Sequence, residues 1–157
     1  MIEEISYRNL LVAVDGSENS DLALATALAF ARRDNASVSL VSVELDATGS
    51  TAQWAAISAP SPELQGDLRR RCREVLQAAA DALPDDVSVT TFHRFGKAGP
   101  EIIAQAGEGG YDLILLGARG VGRVGSILGS VSQHVLHHAG TNVMVVHAPE
   151  RDKAESG

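Results

Sequence analysis

A chain of 157 residues has room for one domain, and 13 Lys+Arg against 20 Asp+Glu give it a formal charge of −7, the wrong sign for a general nucleic-acid binder, which needs a basic face to displace phosphate counterions. A single cysteine, Cys72, excludes an internal disulfide and any multi-thiolate zinc site. The opening residues include Glu3 and Glu4, and no apolar run approaches a spanning length, so an acidic cytoplasmic domain without signal peptide or membrane span is expected.

In chain order, Asn9 to Asp15 (NLLVAVD) is a short apolar run closed by Gly16-Ser17, and it predicts a first strand. Glu18 to Arg33 carries Leu22, Ala25, Leu28 and Ala29 at helical spacing, with Ser17 placed to cap it. Ala36 to Leu45 reads as the second strand. The segment Asp46 to Pro62, with Gly, Ser, Thr, Pro and Trp54, breaks the rhythm and reads as a mobile surface loop. Glu63 to Leu83 sets Leu68, Cys72, Val75, Leu76 and Ala79 on one helical stripe, stopped by Pro84. Val87 to Phe95 is the third strand, Pro100 to Gly107 a helix and Tyr111 to Leu116 the fourth strand. Ser130 to Ala139 is a helix with Gly140 as its C-cap, and Asn142 to His147 is the fifth strand. Such near-continuous Val, Ile and Leu runs suggest strands buried on both faces. Strand and helix in alternation predict a doubly wound α/β domain with a mostly parallel sheet. It spans residues 1–148, and 149–157 form a flexible charged tail.

Open α/β sheets bind ligands beyond the carboxyl ends of their strands, where strand order reverses. Two strand ends carry unusual residues. The first ends in Asp15-Gly16-Ser17, and the fourth in a glycine-rich stretch from Gly117 to Gly129-Ser130 that leads into a helix. Glycine lets backbone approach an oxyanion closely, and a helix N-terminus offers unpaired N–H groups. From Leu113 to His147 there is no Asp or Glu, where composition predicts about four; the same stretch holds Arg119, Arg123 and four of the five histidines. The first helix already has Glu18 and Asp21 at its N-terminus. A phosphate is therefore expected at Gly129-Ser130, leaving Asp15 to accept from a ribose hydroxyl or to hold Mg²⁺. For Asp15 alone, a turn or cap role stands beside the ligand role.

Other motifs lead elsewhere. Gly120-Val-Gly122-Arg-Val-Gly125 matches GxGxxG but comes after the fourth strand, and no acidic residue ends the next one, against a dinucleotide fold. GxxxxGK[ST] is absent. His134 and His138 have metal-ligand spacing on one helix but no third partner in sequence. Cys72 on an apolar helical face reads as core.

With these residues in hand, the chain resembles the universal stress protein family. The resemblance runs from the opening strand to Val146 and rests on Leu11-Val-Ala-Val-Asp15-Gly-Ser-Glu-Asn-Ser20, on Gly96-Lys-Ala-Gly-Pro-Glu-Ile102, and on Gly117-Ala-Arg-Gly120 with Leu128-Gly-Ser-Val-Ser132 beyond it. It implies an adenine nucleotide alpha-hydrolase-like fold with a five-stranded parallel sheet of order 3-2-1-4-5, cytoplasmic dimers paired through the strand Asn142 to His147 and, in one branch, ATP binding through a Gly-x2-Gly-x9-Gly-Ser/Thr signature. Carried over by position, Asp15 would face ribose and phosphates, with Mg²⁺ through the phosphates. The Val43 backbone would read adenine, Gly117 would lie by the ribose, and Gly120, Gly129 and Ser130 would hold phosphate, with Arg119, Val131 and Ser132 beside them. Between Gly120 and Gly129 stand eight residues, not nine. One residue fewer in a helical turn rotates the downstream residues by about 100°, and the extra glycines at 122 and 125 offer the freedom to absorb it. The expected function is an ATP-binding stress-response regulator without efficient hydrolysis. The alternative is a dimeric interaction protein whose pocket is empty or holds cyclic AMP.

Overall fold

The structure, a computed structural model, describes residues 1–48, 61–120 and 128–149. The apolar runs become strands and the periodic stretches helices: β1 (Asn9–Ala13), α1 (Glu18–Asp34), β2 (Ser37–Leu45), α2 (Pro62–Ala82), β3 (Val89–Gly96), α3 (Ala98–Gly109), β4 (Leu113–Gly117), α4 (Ser130–His138) and β5 (Asn142–Val146). All strand pairs are parallel and the order is β3-β2-β1-β4-β5, as the family resemblance implies.

Because side chains alternate across a strand, each strand feeds two cores. Leu10, Val12, Leu40 and Leu115 turn to the face that α1 and α2 cover with Ala23, Ala27, Cys72 and Leu76. Leu11, Val41, Ile114 and Leu116 turn to the other, covered by Ile102 of α3 and Val135 of α4. Each such side chain, taken fully out of water, contributes about 1.5–3 kcal/mol before entropy is charged against it. Burial on both faces is seen for β1 and β4, but not for β3, where Thr90, Thr91, His93 and Phe95 are exposed. β3 closes one edge of the sheet, where helix cover runs out. β5, only partly buried, forms the opposite edge.

Local chemistry sets the helix ends. Ser17 caps α1, its hydroxyl accepting from Ser20 N, and Ser61 caps α2 by accepting from Leu64 N. α3 begins two residues earlier than the sequence suggests, at Ala98. Pro100 sits inside its first turn, where a missing N–H costs nothing. α4 ends at His138 with Ala139 extended rather than on a left-handed Gly140, because the chain leaves the helix straight into β5. The predicted loop from Asp46 to Pro62 has residues 49–60 outside the described residues, as are Gly122, Arg123, Gly125 and the tail from residue 150.

Candidate functional site

After β1 the chain crosses to β2 on one side of the sheet, while β4 lies on β1's other side, so strand order reverses between β1 and β4. A cavity of about 400 Å³ opens there, at the carboxyl ends of the strands. Asp15, Val43, Gly117, Arg119, Gly120, Gly129, Ser130, Val131 and Ser132, scattered over more than a hundred residues of sequence, all line it.

The β1 exit is a tight turn. Gly16 takes a positive φ of 81°, Ser17 N donates to Asp15 Oδ1 at 2.9 Å, and Asp15 N donates to the buried Ser20 hydroxyl at 3.2 Å. Asp15 therefore serves the turn with one oxygen. Its other oxygen, Oδ2, faces Gly120 so closely that a Cβ there would lie 2.8 Å away. The turn thus occupies one oxygen, and the other lies against Gly120 at the cavity wall.

The β4 exit is held from three sides. Ala118 N donates to Val146 O, Gly129 N returns to donate to Ala118 O at 2.7 Å, and Ser132 Oγ donates to Gly117 O at 2.8 Å and also reaches Ala118 O. The shortened glycine stretch thus brings Gly129 back beside Ala118, with Gly120 and Ser130 on the same cavity. The Ser132 hydroxyl is spent on these carbonyls, leaving only its backbone for the cavity. α4 starts at Ser130 with no side-chain cap and no acidic residue in its first turn, unlike α1 and α2. Its N-terminus adds positive potential to the site that no acidic first-turn residue answers.

On the far wall β2 runs past the end of β1. The odd-numbered backbone groups of β2 face β1: Ser37 N donates to Arg8 O, and Val41 O accepts from Val14 N. Beyond that point Gln65 of α2 stands in for the missing strand, its Nε2 donating to Leu45 O and its Oε1 accepting from Ala47 N. Val43 lies between, so its N–H and C=O face the cavity with no strand or side chain opposite among the described residues. A donor and an acceptor side by side are what the edge of an adenine ring matches.

The sequence alone does not reveal the α2 wall: Leu68, Arg71, Cys72 and Val75 also line the cavity. Arg69 pairs with Glu44, and Arg70 with Asp67 and Glu74, whereas Arg71 has no ion pair among the described residues and lies by Gly16. Nothing within the run Arg69-Arg70-Arg71 marks which member turns inward. Arg119 Nε is buried without a hydrogen-bond partner among the described residues, an orphan that a ligand acceptor would satisfy. Arg71 and Arg119 thus stand against Asp15, the one carboxylate lining the cavity among the described residues. Cys72 is buried, and that burial pushes its thiol up, so it is a core residue and not a nucleophile. His134 and His138 stack on each other with ring centroids 4.1 Å apart, and no group of three metal-ligating side chains occurs among the described residues.

Fold and site define a doubly wound domain with a ligand crevice at its switch point. The sequence model of the universal stress protein family matches residues 6–147. Universal stress protein YxiE of Bacillus subtilis is 30% identical over 146 residues, covering 89% of this chain and 99% of that protein. Among solved structures, universal stress protein UspA from Lactobacillus plantarum is similar with a TM-score of 0.69 and 26% identity, over 91% of this chain and 99% of that one. The universal stress protein from Archaeoglobus fulgidus in complex with dAMP shares the fold, with a TM-score of 0.62 and 21% identity over 90% and 99% of the two chains. The chain belongs to the universal stress protein family.

Proposed function

We propose that this chain is a nucleotide-binding regulator of the stress response that holds ATP in the β1/β4 crevice without turning it over efficiently. The observation that carries the reading is the Val43 N–H and C=O, unpaired among the described residues, facing a cavity whose opposite end is the start of α4, without a side-chain cap. Adenine pairs with Val43, the ribose meets Asp15 Oδ2 beside Gly117, and the phosphates lie over Gly120, Gly129 and Ser130 with Arg119 and the backbone of Val131 and Ser132 alongside. Mg²⁺ is held by the phosphates, with Asp15 the carboxylate at hand. The volume is in the range of small-ligand pockets, and a relative of the same fold holds dAMP. Of the described residues lining the cavity, Asp15 is the one carboxylate and no histidine joins it, which gives no general base to activate water over a γ-phosphate.

Calorimetric titration with ATP, cyclic AMP and adenosine tests the reading. ATP is expected to bind in the millimolar to micromolar range, and Ser130→Ala to weaken it by about 0.5–1.5 kcal/mol while adenosine binding stays almost unchanged. Absence of heat and of any melting shift with all three ligands would overturn the reading in favour of an interaction protein with an empty pocket. Preference for cyclic AMP over ATP would reassign the ligand and leave the site in place.

The cytoplasmic assembly proposed with this function is a homodimer. β5 is an edge strand with Val143, Met144, Val145 and Val146 in succession, and an apolar edge left unpaired invites association. Val145→Lys is expected to shift light-scattering mass from dimer toward monomer at tens of micromolar chain. A wild-type monomer at that concentration counts against the assembly.

A further inference from the structure

Asn19, the second residue of α1, is only 7% exposed. Both ends of its amide are in use: Nδ2 donates to Arg119 O at 3.3 Å, and Oδ1 accepts from Ala148 N at 2.6 Å. Arg119 lies two residues beyond β4 and Ala148 two beyond β5, so one side chain ties both strand exits to the start of α1. Its Cβ also fills the space where a side chain on Gly117 would stand. Arg119, whose carbonyl is held in this way, has its Nε buried without a partner among the described residues and borders the cavity. Fixing that carbonyl restricts the backbone from which the guanidinium projects, at the step before Gly120 faces Asp15.

We propose that Asn19 is a positioning residue for the anion-binding end of the cavity, acting through Arg119. This rests on the nucleotide reading above. The amide contributes no ligand contact; it removes conformational freedom from Arg119 before a phosphate arrives, so the ordering cost does not fall on binding. A purely structural tie would lower stability and leave the contribution of Arg119 to ligand affinity intact.

The test is a double-mutant cycle on the full chain, with ATP and adenosine affinities and melting temperature measured for Asn19→Ala, Arg119→Ala and the pair. Asn19→Ala is expected to weaken ATP about threefold to tenfold, the scale of one lost hydrogen bond, and adenosine less than twofold. Arg119→Ala is expected to cost much less ATP affinity in the Asn19→Ala background than alone. Asn19→Asp provides a second cycle should the alanine variant fail to fold: it keeps the acceptor for Ala148 N, loses the donor to Arg119 O, and should show the same loss of coupling. Additive losses, or equal losses for ATP and adenosine, overturn the assignment alone. Failure of the unaltered chain to bind either ligand overturns the nucleotide reading and the assignment together.

Discussion

Gly117→Ala should both destabilise the chain and weaken nucleotide binding. A Cβ at this position would lie 2.6 Å from Asn19 Cβ, 2.8 Å from Asn19 C and 2.9 Å from Ser20 N. Two of these atoms belong to the backbone of α1, so no rotamer change relieves the clash, and the first turn of the helix must move away from β4. Overpacking of this kind costs about 1–3 kcal/mol, or roughly 3–10 °C in melting temperature for a domain of this size. The displaced residues are those that build the site: Ser20 accepts from Asp15 N, and Asn19 holds Arg119 O. ATP affinity is expected to fall by at least about tenfold, since several contacts shift together. Gly66→Ala is the control. It sits within α2 with nothing within 4 Å of a new Cβ, so it should stabilise by about 0.5–1 kcal/mol and leave binding unchanged. Melting temperatures of the two variants should therefore move in opposite senses and ATP affinity should fall only in Gly117→Ala, and unchanged ATP binding in Gly117→Ala would contradict the close approach of α1 to β4.

The sequence made one half of this site legible because its residues are out of place locally. Asp15-Gly16-Ser17 closes an apolar strand, and glycines with a carboxylate-free stretch close another, so each strand end announces itself without knowledge of the fold. Strand order came from the family resemblance, and the paired cores come from alternation along β1 and β4. The other half depends on contacts between distant elements. Arg71 looks like its neighbours Arg69 and Arg70 until α2 is laid on the sheet. Asn19 reads as an ordinary first-turn residue until β4 and β5 arrive beside it. The exposure of β3 was hidden for the same reason, because a strand's place at an edge is a property of the sheet and not of its own residues. Gly140 shows the converse, a residue with the right local chemistry for a cap where the path into β5 asked for extended backbone instead.

Glu44 is the clearest case of a residue whose importance only packing reveals, and it predicts how the protein responds to acid. It sits near the end of β2, 3% exposed, with Gln65 Nε2 at 2.7 Å from Oε1 and both Arg69 Nε (3.3 Å) and His93 Nε2 (2.8 Å) on Oε2. Facing a carboxylate, Nε2 of His93 must be the protonated ring nitrogen. Burial, the largest single influence, pushes the carboxyl's pKa up. The hydrogen bonds from Gln65, Arg69 and His93, with the charge of Arg69, together outweigh it and leave the pKa below the usual carboxylate range. A folded-state pKa lower than the unfolded one means that the ionised group stabilises the fold above its unfolded pKa. That stabilisation is lost as pH falls through the folded value. Wild-type stability should therefore decline, as pH falls below the usual carboxylate range, more steeply than that of Glu44→Gln, which has no charge to lose. Asp34, held at about 2 by Arg33 and the Tyr7 N–H, adds a decline at lower pH that both proteins share. At pH 7 Glu44→Ala should cost about 1.5–3 kcal/mol, the scale of hydrogen bonds to a charged group, with the partly exposed Arg69 and His93 recovering some solvation. The effect reaches the site because the Gln65 amide that Glu44 orients is the same one that completes the β2 edge beside Val43. Freed from the carboxylate, that amide can turn toward the cavity and compete for the Val43 backbone. Adenosine and ATP should then weaken by a similar factor in Glu44→Ala, in contrast to Ser130→Ala, where only the phosphate-bearing ligand suffers. Parallel pH–stability curves for wild type and Glu44→Gln would remove Glu44 from the acid response, and unaltered adenosine affinity in Glu44→Ala would remove it from the site.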